Sequence, residues 1–369
     1  MYYVFYILPI LLYFFFRGIK NQERARFWFV TIMTLLLCIC SAMRHEYVGN
    51  DTYGYMINYE QLETKPFNSV FEEAETIFNT SGDAEGRDPG YKIIAKLCSD
   101  MISFRIFMFI VALIFLSAIG HLIRRYVNDL SGFIIAYAFY LCLYYHYLPN
   151  SAIRQTIAMG LLLWAYIIWY EKGYKVAPIV LVVMGISCHQ SAILGIIPFM
   201  LSFLTNKNII QKVTVIGFIV MLLAGQAFSI FFANLLNSQE YMNYAMSSAY
   251  NQMERPLGFV LQMLSLYLVS LLSRIDIDRQ SKIQQIMSIC FYLGIMTAPI
   301  ILVSPSQIRG NAYFAIWGIV FVPNIVNSIK SKSRTLIYVI LIALTLGRPI
   351  AQGVPEFKFY WEKMEYRGL

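Results

Sequence analysis

Charge is scarce in this chain of 369 residues: Asp, Glu, Lys and Arg make up 14%, against about 25% in a typical soluble domain. Set beside 58% hydrophobic residues, that shortage excludes a water-soluble globule. The six cysteines, at 38, 40, 98, 142, 188 and 290, include no Cys-x-x-Cys pair, so neither a disulfide framework nor a zinc site is readable. Cys38 and Cys40 point to different faces of a helix and read as small apolar filler. A glycine-rich phosphate loop, a Ser/His/Asp arrangement, a His-x-x-x-His pair and an outward-facing Asp-x-Asp pair are also missing. Asp276-Ile277-Asp278 has the spacing that holds a metal-bound nucleotide, but it lies in a basic connection and balances Arg274 and Arg279. These absences disfavour a nucleotide-sugar enzyme of the soluble type.

What the chain has is apolar runs along its whole length, at 2–16, 27–43, 102–120, 131–149, 152–170, 176–188, 190–204, 213–236, 257–272, 286–303, 311–329 and 335–347. The runs are continuous, not alternating. Lipid leaves a spanning chain only helices and closed barrels with a satisfied backbone, so these runs predict helices. The expected fold is all-α: a polytopic membrane protein of about twelve transmembrane helices in a single integral domain over 1–369. The sixth and seventh runs fall short of the roughly 20 residues a straight span needs. They form either a hairpin of half-spans meeting at Ser187-Cys188-His189-Gln190-Ser191 or one long, broken helix. The first run starts Met1-Tyr2-Tyr3 without a basic n-region or a small-residue cleavage site, which predicts a retained anchor and a mature chain starting at residue 1.

The net charge of +8 collects in alternate connections. With the N-terminus outside, the inner connections carry sixteen cations, from Arg17 to Arg334, against five acids, while the outer side has an acidic excess. The positive-inside rule favours this orientation, and the charge requires no nucleic acid. The longest hydrophilic stretch, 44–101, then becomes an ordered extracytoplasmic loop. Within it, Asp88-Pro89 reads as a cap-and-proline helix start, followed by Tyr91, Ile94, Ala95 and Cys98 on one stripe. That pattern predicts an amphipathic helix lying along the membrane surface.

Four arginines sit near the expected outer boundary, against the positive-inside trend: Arg44, Arg105, Arg154 and Arg309. Each could snorkel to lipid phosphate or pair with an outer carboxylate. Four together suit a bound diphosphate, because guanidinium is always charged and offers forked donors for phosphate oxygens. His189, between two short runs, is a candidate base or phosphate donor, or a turn residue satisfied by backbone carbonyls. Asp51 could orient an arginine, accept a proton from a sugar hydroxyl, or cap a solvated turn. His146, among tyrosines, reads as interfacial belt. Outer tyrosines, including Tyr53, Tyr55 and Tyr91, suit stacking on sugar rings or anchoring at the interface.

The stretch Arg44-His45-Glu46-Tyr47-Val48-Gly49-Asn50-Asp51-Thr52-Tyr53 resembles the signature of the EpsG family of Wzy-type polysaccharide polymerases. Asp88-Pro89-Gly90-Tyr91, Ser151-Ala152-Ile153-Arg154-Gln155, His189-Gln190-Ser191-Ala192 and Arg309-Gly310-Asn311-Ala312-Tyr313 agree in order and position. Asp88 departs from the pattern, where a glutamate is expected. The resemblance implies a GT-C-like helical architecture in a bacterial cytoplasmic membrane, with the active site facing the exterior or periplasm. It implies polymerisation of O-antigen, capsule or exopolysaccharide repeats carried on undecaprenyl diphosphate, without a cofactor or metal. A chain-length regulator is a further candidate partner.

Joined to the charge argument, the resemblance assigns the diphosphate to Arg44, Arg154, Arg309 and, less directly, Arg105. Catalysis falls to Asp51, His189 and Arg154, and substrate contact to Tyr53, Tyr91, Gln155 and Tyr313. A glycan-lipid flippase would also need outer cations but should carry charge through a central cavity, and a ligase would transfer finished glycan to another acceptor.

Overall fold

Backbone groups removed from water must find partners within their own segment, and the chain meets that requirement with helices almost throughout. The computed structural model describes residues 2–49, 51–70, 72, 88–204, 206–235, 239–246, 256–303, 307–329, 334, 336–337, 339–341 and 356–364. Helices run as α1 (Tyr2–Phe16), α2 (Gln22–Met43), α3 (Thr52–Thr64), α4 (Pro89–Ser99), α5 (Phe104–Tyr126), α6 (Leu130–Leu143), α7 (Ile153–Ile167) and α8 (Val176–Cys188). After α8 come α9 (Ile197–Met200), α10 (Lys207–Leu235), α11 (Gln239–Met246), α12 (Leu257–Leu271), α13 (Lys282–Thr297), α14 (Ile308–Ala315) and α15 (Gly318–Ser328). Among the described residues the extended backbone pairing is a bridge between Arg44 and Phe359.

Four helical stretches are long and apolar enough to cross a membrane: Gln22–Met43, Phe104–Tyr126, Lys207–Asn234 and Lys282–Leu302. Shorter apolar helices include Val4–Phe16, Leu130–Leu143, Val176–Cys188, Leu257–Leu271 and Gly318–Ser328. With the helical content, they make this an all-helical, multi-pass membrane protein. Helix ends obey local chemistry. Asn21 accepts from the Arg24 amide at 3.0 Å to start α2, Asp129 accepts from Gly132 at 2.7 Å to start α6, and Ser281 with Gln284 forms a capping box on α13. The Arg26 guanidinium closes the end of α5 by donating to the carbonyl of Arg124 at 2.8 Å and to that of Val127. Packing centres on α5, α6, α7, α13 and α15, with Phe115, Tyr140, Tyr166 and Phe291 fully buried in the first four and Trp317 buried just before the last. Helix α10 instead leaves Ile216, Leu223 and Phe231 exposed, and its backbone departs from helical angles at Ala224.

Several expected spans are divided. The 131–149 run is helical only to Leu143, and the 311–329 run is two helices parted at Ile316-Trp317. The 176–204 region is a half-length helix ending at Cys188, an extended His189 (φ −159°, ψ 112°), a 3₁₀ segment Gln190–Ile196 and the short α9. Most of the 335–347 run lies outside the described residues, as do 73–87 of the hydrophilic loop.

Within that loop, α3 has little apolar periodicity and buries only Thr52 and Tyr59. Its neighbours hold it. The Tyr59 ring stacks on Phe107 at 5.0 Å, and its hydroxyl donates to the Ile102 carbonyl at 2.9 Å. Buried Lys96 reaches from α4 to the C-terminal carbonyls of α3, donating to Leu62 at 2.9 Å, and pairs with Asp100. The expected helix over 88–98 forms, and its stripe turns inward: Tyr91 meets Tyr55 of α3 edge-on at 5.7 Å and lies 6.4 Å from Phe107 of α5. A stripe carrying a buried tyrosine finds aromatic partners on the protein itself.

Two glycines permit the close approaches of this region. Gly90 lets α4 start against α8, since a Cβ there would stand 2.1 Å from the Ser187 hydroxyl. Gly49 is left-handed at φ 92°, and a Cβ on it would meet the Asn150 carbonyl at 2.1 Å. Gly49→Ala should therefore destabilise the protein by about 1–3 kcal/mol, read as a lower Tm in detergent. An unchanged Tm would contradict this packing of the 44–52 turn.

Candidate functional site

Five elements bring their ends together: the turn before α3, the start of α4, the start of α7, the break at His189, and α14. Asp88 is at the centre. Its backbone is left-handed (φ 57°, ψ 57°), a region Asp tolerates better than most residues, and Pro89 follows it. A capping residue needs extended geometry, so the carboxylate makes no capping hydrogen bond to its own helix. That corrects the reading of Asp88 as a helix cap. The carboxylate is 5% exposed and serves the neighbouring elements instead. Oδ2 accepts from an Arg154 terminal nitrogen at 2.8 Å and stands 3.5 Å from His189 Nδ1; Oδ1 accepts from the Gln190 amide at 3.1 Å.

Arg154 lies in the first turn of α7, where the helix dipole disfavours a cation. The carboxylate compensates. Arg154 Nε donates to the Tyr55 hydroxyl at 3.0 Å, and the guanidinium lies 5.6 Å from the Tyr55 ring centre. Among the described residues its second terminal nitrogen has no hydrogen-bond partner, and the side chain is 34% exposed. Burial by itself would raise the Asp88 carboxyl's pKa. The hydrogen bond and charge of His189, the charge of Arg154 and the Gln190 amide outweigh it and hold the group below the ordinary carboxylate value. His189 Nε2 is buried without a hydrogen-bond partner among the described residues. An ionised Asp88 on Nδ1 favours the tautomer with the proton there, which leaves Nε2 a lone pair.

A second pair stands beside the first. Arg309, at the start of α14, is 3.5 Å from Asp51 Oδ2. Gln155, buried next to Arg154, donates to the Arg309 carbonyl at 2.6 Å and accepts from the Tyr147 hydroxyl. Ser191 donates to the Tyr313 hydroxyl at 3.3 Å. Arg309 also borders an apolar cavity of about 250 Å³ lined by Met221, Phe228, Phe232, Met296, Ile300 and Phe314, with Ser191 and Gln307 among its polar groups. That cavity lies against the kinked half of α10.

Of the residues singled out from sequence, the structure gathers Asp51, Arg154, Gln155, His189, Arg309 and Tyr313. Tyr91 is buried behind Tyr55, and Tyr53 packs on Tyr47 at 5.0 Å. Arg44 and Arg105 line a separate cavity, on the α3 face that carries Thr52, Met56 and Glu60. The buried Arg44 guanidinium holds its own turn, donating to the carbonyls of Ser41 and Val48 and to Thr52 Oγ1. Asp88 and Tyr55 are the additions. Asp88 was visible in the Asp-Pro-Gly-Tyr element, but as a cap and not as a partner of Arg154.

The sequence model of the EpsG family matches residues 27–352. No curated protein and no solved structure matches the chain.

Asp88 links the cluster to acid stability. Its folded pKa lies below the ordinary 3.8, so its contribution is complete above that value and is lost as pH falls through the lower folded pKa. Asp88→Asn should remove this part of the acid transition, followed by tryptophan fluorescence, and destabilise the protein at neutral pH by about 1–3 kcal/mol. Superimposable acid transitions would contradict the buried pairing.

Proposed function

The chain belongs to the EpsG family, the family of Wzy-type polymerase-like proteins, and on that premise we propose that it joins oligosaccharide repeats carried on a polyprenyl diphosphate such as undecaprenyl diphosphate. The reaction takes place at the outer face of a bacterial cytoplasmic membrane, in a GT-C-like domain of about twelve spans with residues 44–101 outside. The distribution of cations along the chain supports the orientation. The single observation that carries the reading is the buried Asp88 carboxylate joining Arg154 to His189, beside an arginine that borders an apolar cavity. A diphosphate needs fixed positive charge, and its lipid needs an apolar channel starting at the same point.

In this reading the reducing-end C1 of the donor glycan is bonded to the carrier diphosphate. An acceptor hydroxyl on the next lipid-linked repeat attacks C1, the C1–O bond breaks, and its electron pair leaves with the diphosphate. Arg154, through its outward nitrogen, and Arg309 meet the charge that develops there. His189 Nε2 takes the acceptor proton. Asp88 orients the imidazole and stabilises its charged form, while Asp51 aligns Arg309. Gln155 ties the two arginines together through the Arg309 carbonyl. The cavity beneath Arg309 takes the first isoprene units of the carrier, entering between α10 and the bundle. Most ionisable groups fall at the outer lip or in the inner connections and not along a central cavity, which favours group transfer over transport of a charged head across the membrane.

A deletion strain should retain single repeats on lipid. Arg154→Lys keeps charge but loses the forked geometry, and should lower polymerisation by roughly 10²–10³. His189→Ala should lower it by roughly 10²–10⁴. Glycan ladders, at matched membrane levels of each variant, check both. A full-length polymer made at the normal rate by either variant would contradict that residue's role.

A further inference from the structure

The cavity holding Arg44 and Arg105 has a composition unlike a phosphate site. It measures about 170 Å³ and is lined by two guanidinium groups, two carboxylates (Glu46 and Glu60), Thr52, Ser103 and the apolar Ala42, Met56, Phe104 and Met108. Asp88 and Asp51 in the other cluster are each paired with an arginine, whereas Glu60 stands here with no partner among the described residues and would repel a diphosphate. Its volume is close to that of an engineered cavity of about 150 Å³ that admits one benzene, so it suits a single six-membered ring.

We propose that this cavity binds one pyranose ring of the glycan, as a sugar subsite on the α3 face opposite in role to the diphosphate cluster; the choice of a sugar over another compact polar molecule rests on the function proposed above. Neighbouring ring hydroxyls donate to a carboxylate and accept from a guanidinium; both groups are present, and the guanidiniums are held in place. Arg44 is held by Ser41, Val48 and Thr52, and the Arg105 guanidinium lies 3.6 Å above the Tyr360 ring. Neither needs to be ordered on binding. Glu60 makes no hydrogen bond or ion pair among the described residues and faces the same space.

Ala42, Met56, Phe104 and Met108 supply the apolar wall that a sugar's C–H face requires, and the C-terminal segment lies beside the cavity against Arg105. It is pinned to the end of α2 by the His45 amide donating to the Lys358 carbonyl at 2.8 Å and the Tyr360 amide donating to Met43 at 3.0 Å. Phe359 and Trp361 stack in parallel at 4.4 Å, and Tyr360 and Trp361 are 43% and 61% exposed. Aromatic faces are electron-rich and meet the polarised C–H bonds of a pyranose. The link to the reacting groups is α3 itself. Asp51 and Tyr55 serve the arginine cluster, while Thr52, Met56 and Glu60, one step around the helix, serve this cavity. A glycan crossing the start of α3 would touch both.

The test uses the full-length protein in nanodiscs free of glycoside detergent, titrated with methyl pyranosides of glucose, galactose, rhamnose and N-acetylglucosamine and read by saturation-transfer NMR. At least one should bind saturably, with Kd on the order of 1 mM. Glu60→Gln and Arg105→Ala, at unchanged Tm, should each weaken it roughly tenfold. Arg154→Lys should leave it unaltered, and inorganic pyrophosphate should not displace it. Absence of binding by every glycoside, equal binding in both cavity variants, or displacement by pyrophosphate would overturn the subsite. Saturable, variant-sensitive binding by a protein that never polymerises lipid-linked repeats would leave the subsite standing and sink the proposed reaction, so the two fail separately.

Discussion

A carboxylate withdrawn from water is stable only beside compensating charge and donors, and Asp88 is the group on which the clustered helix ends of this protein depend. Its two oxygens are served by a guanidinium from α7, an imidazole from the break after α8 and an amide from the following 3₁₀ segment. Removing any of these elements would leave charge in a place where desolvation outweighs weak contacts. The same pairing resolves the difficulty of Arg154, a cation at the positive end of a helix. What stabilises the fold therefore also positions the groups that the proposed reaction uses.

The irregular backbone has a matching logic. Helix breaks within an apolar chain are tolerated where the freed groups are buried in protein or line a cavity. The break at His189 occurs where the carboxylate needs an imidazole and an amide side by side. Arg309 lies in the first turn of the short α14, facing Asp51, and the departure from helical geometry at Ala224 lies in the helix that walls the apolar cavity. Helix α3, with few buried residues of its own, is held by Tyr59 and Lys96 and separates two chemically different spaces. One space pairs each of two arginines with a carboxylate, beside His189, and is bordered by apolar surface. The other balances acids with bases.

How much of this was legible in the sequence varied with the kind of signal. Long apolar runs marked the helices well, because hydrocarbon admits few alternatives. The break at His189 was legible in the two short runs that meet there, but the division at Ile316-Trp317 was hidden, since those residues are as apolar as their surroundings and the break depends on tertiary packing. The helix α3 gave no periodicity to read. Arg154, His189 and Arg309 stood out as polar groups at the ends of apolar runs, and their neighbourhood holds. Arg44 stood out equally, yet its guanidinium closes its own turn, a local bond pattern that spacing alone does not reveal. Asp88 was obscured by Pro89, because Asp-Pro before a helical stripe has the form of a cap whether or not the side chain caps.

A double-mutant cycle between Asp88→Asn and Arg154→Gln, measured on both unfolding stability and turnover of a defined lipid-linked repeat, tests the central claim most directly. If the carboxylate and guanidinium act as one unit, each single variant incurs nearly the full loss and the double variant little more, a coupling of about 0.5–3 kcal/mol. Losses that simply add would contradict it.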